Sequence, residues 1–314
     1  MQCARTAKPL RSRVICPARG SFNQIEMQNW SKISPSLLHS EFTRHAAHIG
    51  GGMGRAPAPP LPWNLRFLLS WRIYSNSRHV MLLESLRQQV LLANQEIARR
   101  GLAPHTFGNA SGVDRSGSKH LVVIKPSGVD YAALTAADLV VTDLDGKIVE
   151  GSLRPSSDLD THTLLYREFP QIGGIVHTHS EFATAWAQAN RPIPCLGTTH
   201  ADYFHGPVPV TQALTAEEVA SGYVRSTGAV IVRCFLSGKL DPVAVPGVLV
   251  AGHAPFAWGK DPAEAVEHAD VLEYIARLAY RSVLLGAPEA GIPRHVSEFH
   301  YHRKHGRKAT YGQS

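Results

Sequence analysis

The stretch that decides the fold is GGIVHTHS, residues 173–180, where an apolar run ends in two histidines one residue apart. On a β-strand, residues two apart lie on the same face, so the pattern predicts His177 and His179 side by side. Two ligands of one metal ion require that arrangement. In a chain with 17 histidines, the stretch by itself fits two ordinary core imidazoles equally well.

Two further polar residues end or follow apolar segments and could complete such a site. VLVAGH, residues 248–253, predicts a second apolar strand that ends in His253, and PSSD, residues 155–158, places Asp158 just before a predicted helix. Three imidazoles and one carboxylate form a mixed nitrogen and oxygen set that suits zinc or another divalent first-row metal. These features favour a metal site over two core histidines.

The same region of the sequence contains candidate anion-binding motifs. KPSG, residues 125–128, and RPSSD, residues 154–158, each combine a cation with hydroxyl groups and turn backbone. GN, residues 108–109, is predicted to lie in a short loop that offers backbone N–H groups and an amide. Together the motifs suit a phosphate group. Taken singly, each is also typical of a simple turn or a helix cap.

Apolar periodicity predicts an α/β domain in which strands alternate with helices. An amphipathic helix opens at Met81 and ends near Gly101. The sequence contains no G-x-G-x-x-G motif, so a dinucleotide-binding fold has no support. The predicted strands are residues 121–125, 139–144, 173–179, 229–232 and 247–253, and the later helices lie near residues 159–169, 180–190, 215–222 and 261–285.

The first 80 residues differ in composition from the rest. They hold 11 Lys and Arg against two acidic residues, a charge of +9, whereas residues 81–314 hold 21 against 23, a charge of −2, which together give +7. We predict a basic, largely disordered extension over residues 1–80 and one enzyme domain over residues 81–314. A transit peptide, a basic interaction tail and a start codon set too far upstream all fit. We favour the last, because all four methionines fall at or before position 81.

Composition also excludes some classes of protein. The apolar stretch at residues 65–74 is interrupted by Arg66 and Arg72, and no run reaches the roughly 20 apolar residues of a membrane span. The four cysteines show no CxxC pairing, so we expect reduced thiols in a cytoplasmic protein.

Seven motifs resemble, in order and spacing, the sugar-phosphate 4-epimerases of the class II aldolase-like family. The resemblance runs from about residue 81 to residue 313 and leaves the first 80 residues outside. It implies a three-layer α/β/α fold with a central, mainly antiparallel sheet, assembled as a homotetramer with active sites at subunit interfaces. The motifs are FGNASGVDR, VIKPSGVDY, PSSDLDTH, GGIVHTHS, GTTHADYFHG, PGVLVAGHAPFAWGKD and RKHGRKATYGQ.

The resemblance also implies roles for individual residues. The implied metal ligands, for one divalent cation that we expect to be Zn²⁺, are Asp158, His177, His179 and His253. Asp202 and Tyr311 match the proton-transfer residues. The implied substrate-binding residues, chiefly for the phosphate, are Gly108, Asn109, Ser127, Gly128, Ser156 and Ser157.

The implied reaction is the conversion of L-ribulose 5-phosphate to D-xylulose 5-phosphate by breaking and remaking the C3–C4 bond. An aldolase of the same family, similar to L-fuculose-1-phosphate aldolase, and a non-catalytic adducin-like interaction domain are the alternatives. We expect no nucleic-acid partner, because the basic stretch at residues 303–308 lies inside the matched tail, and no membrane partner. Arabinose and ascorbate-related sugar catabolism both stay open as pathways.

Overall fold

The computed structural model describes residues 81–306 and 309–310. The predicted extension over residues 1–80 and the predicted catalytic residue Tyr311 lie outside the described residues. In the described part of the chain, no helix has the length and apolar character needed to cross a membrane. The two cysteines it contains, Cys195 and Cys234, are both free thiols.

A seven-stranded sheet forms the centre of the domain, with the strand order β4-β3-β2-β1-β5-β7-β6. Every neighbouring pair of strands is antiparallel, as the resemblance implies. The strands are β1 (Gly108–Asp114), β2 (Leu121–Ile124), β3 (Val140–Asp143), β4 (Ile148–Glu150), β5 (Gly174–Thr178), β6 (Gly247–Leu249) and β7 (Pro255–Gly259).

Helices lie on both faces of this sheet. On one face, a side chain at Gly112 of β1 would meet Leu86 and Val90 of the first helix. On the other, Trp258 of β7 packs against two phenylalanine rings whose centroids lie 5.2 and 5.5 Å away. The predicted layered α/β/α fold is therefore confirmed. The helices are α1 (Glu84–Arg99), α2 (Leu159–Glu168), α3 (Glu181–Gln188), α4 (Thr198–Ala201), α5 (Ala216–Gly238), α6 (Pro262–Leu284) and α7 (Arg294–His305).

Strand β5 is the most deeply buried element of the site. All five of its residues are buried, including His177, because β1 and β7 flank it and α6 packs across it. A strand covered on both faces reads as a continuous apolar run, which is what residues 173–176 show.

Two local predictions are wrong. Residues 229–232 form no strand and lie inside α5, where a capping box between Thr215 and Glu218 starts the helix. Residues 108–109 are not a loop: they open strand β1, in register with Thr178 and His177 of β5. The second correction matters for the site, because it fixes the Asn109 side chain on the strand that neighbours β5.

Candidate functional site

Three histidines converge at one end of the central strands. His177 lies in β5, His179 follows its last residue, and His253 lies in the turn between β6 and β7. Their ring centroids are 4.9, 4.9 and 5.1 Å apart. One nitrogen of each ring lies within 4.8 Å of the others, so the three can ligate a single ion. The structure therefore brings together the three histidines predicted as ligands.

The hydrogen bond of His177 indicates the tautomer of its ring. Its Nδ1 lies 2.9 Å from the carbonyl oxygen of Pro255. A carbonyl can only accept, so Nδ1 carries the proton and Nε2 keeps the lone pair that binds a metal. His253 gives a second indication of a metal site, because its Nδ1 is buried without a hydrogen-bond partner among the described residues. Buried polar atoms rarely lack a partner, and this donor set fits a divalent cation.

Burial favours the neutral form of His179 and His253. It lowers the pKa of His253 to about 4, and the neighbouring His177 and His179 act in the same direction. Burial also lowers the pKa of His179, again with the help of His177. A metal binds the unprotonated imidazole, so near neutral pH these two rings do not need to lose a proton before they ligate.

A carboxylate is fixed beside the histidines by an amide. Asn109 donates from Nδ2 to Asp158 Oδ2 at 2.7 Å and to Ser156 Oγ at 3.0 Å. Burial tends to raise the pKa of Asp158, but His177, His162 and the Asn109 hydrogen bond outweigh it and lower the pKa overall. Asp158 therefore stays ionised at the start of α2 and lines the same cavity, outside the group of three histidines whose ligand atoms lie within 4.8 Å of one another.

The two predicted anion-binding loops brace each other. The Ser127 amide donates to the Arg154 carbonyl at 2.9 Å, and the Ser156 amide donates to the Lys125 carbonyl at 2.9 Å. These bonds hold residues 125–128 against residues 154–158. The side chains of Ser127 and Ser157 stay exposed beside the metal-type ligands. Two serine hydroxyls and turn backbone are thus held together where a phosphate group can bind.

A cavity of about 420 Å³ joins the histidines to these loops. The volume lies within the usual range for small-molecule sites, about 300 to 1,000 Å³. All ten of the residues predicted as metal ligands or substrate-binding groups line it: Gly108, Asn109, Ser127, Gly128, Ser156, Ser157, Asp158, His177, His179 and His253.

The predicted site residues omit several lining residues, of which Thr106, Lys125 and Tyr223 carry polar groups, although Lys125 belongs to the KPSG motif. Lys125 is 2 % exposed, with Nζ 4.8 Å from the centre of the Tyr131 ring, and burial lowers its pKa. The cation of KPSG could have pointed to Lys125, whereas the cation of RPSSD, Arg154, does not line the cavity. Tyr223 follows Gly222, whose φ of 141° kinks α5 toward the site, and no sequence signal beyond the glycine indicates this.

Asp202 lies elsewhere in the described chain. It follows α4 and is paired with His300 at 3.0 Å and Arg303 at 3.1 Å, both of α7. It does not line the described cavity. The structure therefore holds Asp202, one of the two predicted proton-transfer residues, apart from the three histidines of the cavity. The other, Tyr311, lies outside the described residues.

Comparison with known proteins gives a match over most of the chain. The family described as Class II Aldolase and Adducin N-terminal domain matches residues 88–280. L-ribulose-5-phosphate 4-epimerase UlaF of Salmonella paratyphi B is 49% identical over 231 residues, which is 74% of this chain and 100% of the relative. The protein of the same name from Salmonella typhi matches to the same extent.

Solved structures share the fold. L-fuculose 1-phosphate aldolase superposes with a TM-score of 0.59 at 24% identity, over 71% of this chain and 97% of that chain. The L-fuculose 1-phosphate aldolase from Glaciozyma antarctica PI12 gives a TM-score of 0.54 at 17% identity, over 69% of this chain and 80% of that one. At these identities the likeness concerns the fold.

Proposed function

The chain belongs to the class II aldolase and adducin family, and we propose that it is a metal-dependent epimerase that interconverts L-ribulose 5-phosphate and D-xylulose 5-phosphate. One observation carries the proposal: three imidazoles and an ionised carboxylate share a cavity with two braced serine loops. Binding and cleaving a sugar phosphate requires both the metal-ligand group and the phosphate-binding loops. The names of the relatives that match over their full length supply the substrate.

His177, His179, His253 and Asp158 would hold the cation, and we propose Zn²⁺ because the donors are three imidazole nitrogens and one carboxylate. When bound, the cation supplies a Lewis acid that stabilises the negative charge developing on the ketose as its C3–C4 bond breaks. Asn109 keeps the Asp158 carboxylate beside the histidines. The Pro255 carbonyl keeps His177 in the tautomer that ligates through Nε2.

Retention of the cleaved fragment decides between an epimerase and an aldolase. Breaking C3–C4 leaves a two-carbon aldehyde that carries the phosphate. Ser127, Ser157 and the backbone around Gly128 would bind that phosphate, so the aldehyde can turn its other face before the bond re-forms with C4 inverted.

Asp202 and Tyr311 are our proposed proton-transfer residues for the C4 oxygen. Because Asp202 is paired with Arg303 of α7 and does not line the cavity of its own chain, we propose that it serves the cavity of a neighbouring copy. A homotetramer with active sites at subunit interfaces provides this arrangement. We further propose a cytoplasmic enzyme whose enzyme domain spans residues 81–314.

The test combines metal analysis with product analysis. The wild type should contain one divalent cation per site and convert L-ribulose 5-phosphate to D-xylulose 5-phosphate. His179→Asn should lose the cation of the cavity and turnover, whereas His120→Asn, a change at an exposed histidine outside the cavity, should keep both. Release of free glycolaldehyde phosphate and dihydroxyacetone would establish the aldolase instead. A wild type with neither metal nor turnover would overturn the proposal.

A further inference from the structure

A second cluster of ligand-type side chains lies outside the cavity. His205, in the loop after α4, faces Glu298 and His302 of α7. The Nε2 atoms of His205 and His302 lie 3.1 and 3.2 Å from the same carboxylate oxygen, Glu298 Oε2. All three ligand atoms lie within 4.8 Å of one another. The cluster therefore presents two nitrogens and one oxygen to a common point.

These separations suit a transition-metal ion. Zinc binds nitrogen and oxygen at about 2.0 to 2.2 Å, and two ligands of a tetrahedral ion then lie roughly 3.3 to 3.5 Å apart. The two nitrogen–oxygen separations need to widen by only a few tenths of an ångström. Glu298 and His302 are four residues apart on one helix face, which places both side chains on the same side of α7.

Contacts around the cluster already orient its members. Arg294 Nε contacts the other carboxylate oxygen of Glu298 at 3.3 Å, which leaves Oε2 for the two histidines. The hydrogen bond with His205 lowers the pKa of Glu298, so the carboxylate is ionised. The ring of His205 packs on Tyr301 with centroids 4.5 Å apart, and its backbone amide donates to the Ala244 carbonyl. Such outer contacts fix the direction of metal ligands.

We propose that His205, Glu298 and His302 form a second divalent-metal site, selective for borderline ions such as Zn²⁺, Co²⁺ and Ni²⁺ over Mg²⁺ and Ca²⁺. Two imidazoles determine this preference, since Mg²⁺ and Ca²⁺ take oxygen ligands. The ligands are 31 to 60 % exposed, so the fourth position is open to water.

The site would fasten α7 to the loop after α4. That loop begins next to Asp202, which α7 already contacts through His300, Arg303 and His305. A metal bridge between His205 and the pair on α7 would add a bond between the same two segments. We therefore expect zinc to stabilise this contact, and the inference holds whether or not the chain is an epimerase.

Equilibrium dialysis of the full chain against Zn²⁺, followed by elemental analysis, tests the site. We expect two equivalents per wild-type chain and one for His302→Gln, His205→Gln or Glu298→Gln. His295→Gln, which removes another exposed histidine of α7, is the matched control and should keep two. His179→Asn should keep one, because it removes only the site in the cavity.

Two readouts separate this site from other zinc-binding histidines. In the His179→Asn background, added Zn²⁺ should raise the melting temperature, and His302→Gln should abolish the rise while circular dichroism stays unchanged. A single equivalent in the wild type that His302→Gln keeps and His179→Asn removes would overturn the proposal. So would a second equivalent that survives all three ligand variants, because the zinc would then lie elsewhere.

Discussion

Two regions of the molecule gather carboxylates and histidines, the cavity around Asp158 and the surface around Asp202. In the cavity, Asp158 is held by the neutral amide of Asn109 among histidines whose pKa values burial lowers. At the surface, Asp202 is paired with the guanidinium of Arg303 and with His300. The chain balances the charge of Asp202 with its own cation, Arg303, whereas the Asp158 carboxylate accepts a hydrogen bond from a neutral amide.

The largest expected effect separates the two carboxylates. Asp158→Asn should lose the cation of the cavity and turnover together, because it removes a proposed ligand of that cation. Asp202→Asn should keep its metal while kcat falls about 10² to 10⁴-fold, the usual contribution of a proton-transfer group. Metal analysis and kcat on the same preparations make the measurement. Loss of metal from Asp202→Asn would show that the two regions are not functionally distinct.

A pair of glycines tests how tightly the cavity is built. A methyl group at Gly108 would lie 2.6 Å from the His177 carbonyl oxygen, and φ is +110° there, whereas at Gly128 φ is +72° and no atom lies within 4 Å. Gly108→Ala should lower the free energy of unfolding by more than about 3 kcal/mol, from strain plus a backbone clash. Gly128→Ala should cost about 1 kcal/mol, from strain alone. Urea unfolding measures both, and equal losses would contradict the described packing.

Asn109 tests whether the carboxylate of the cavity depends on its amide partner. Asn109→Ala should weaken metal binding about 10 to 100-fold, the usual cost of losing a group that orients a ligand. Ser157→Ala is the control, since the Ser157 side chain lines the cavity but we assign it to the phosphate. It should raise KM for the sugar phosphate and leave metal affinity unchanged. Competition with a chelator of known affinity gives the metal constants.

Much of the cavity lining could be predicted from sequence, because its histidines lie in or just after two short apolar strands, β5 and β6, which both pair with β7. His177, His179 and His253 were predicted in this way, and the cation, hydroxyl and turn residues of the loops predicted a phosphate site, to which the motif resemblance added individual roles. The antiparallel sheet itself came from the resemblance, since alternating strands and helices give no strand order. The separation of Asp202 from the cavity depends on contacts with α7, about 100 residues later, which no local pattern encodes.

Residues 229–232 show why local patterns can mislead. The run AVIV is rich in β-branched residues and reads as a buried strand. In the structure, Thr227, Ile231 and Phe235 are buried at helical spacing inside α5. Short apolar runs fit both periods, and length decides between them. The capping box at Thr215 and Glu218 begins a helix that continues to Gly238, well beyond the predicted helix at residues 215–222.

The smallest expected effect is a pH dependence of stability caused by His200, which lies two residues before Asp202. Burial lowers the pKa of His200, whose Nε2 lies 2.8 Å from the Gly206 carbonyl oxygen, to about 4. The unfolded imidazole takes up a proton below about pH 6.5 and the folded one only near pH 4, so stability should fall as pH drops through this window. His200→Asn should reduce proton uptake on unfolding by about one. Urea titrations between pH 4 and pH 7 measure it, and an unchanged slope would count against the buried neutral ring.

The most direct test mixes two inactive proteins. The central claim is that the cavity of one chain holds the cation and the phosphate while Asp202 of another moves the proton. His179→Asn and Asp202→Asn, unfolded together and reassembled at equal concentrations, should regain roughly a quarter of wild-type epimerase activity, since one interface in four then pairs an intact cavity with an intact Asp202. No recovery, with each variant reassembling normally by itself, would contradict the claim and place both halves of the site in one chain.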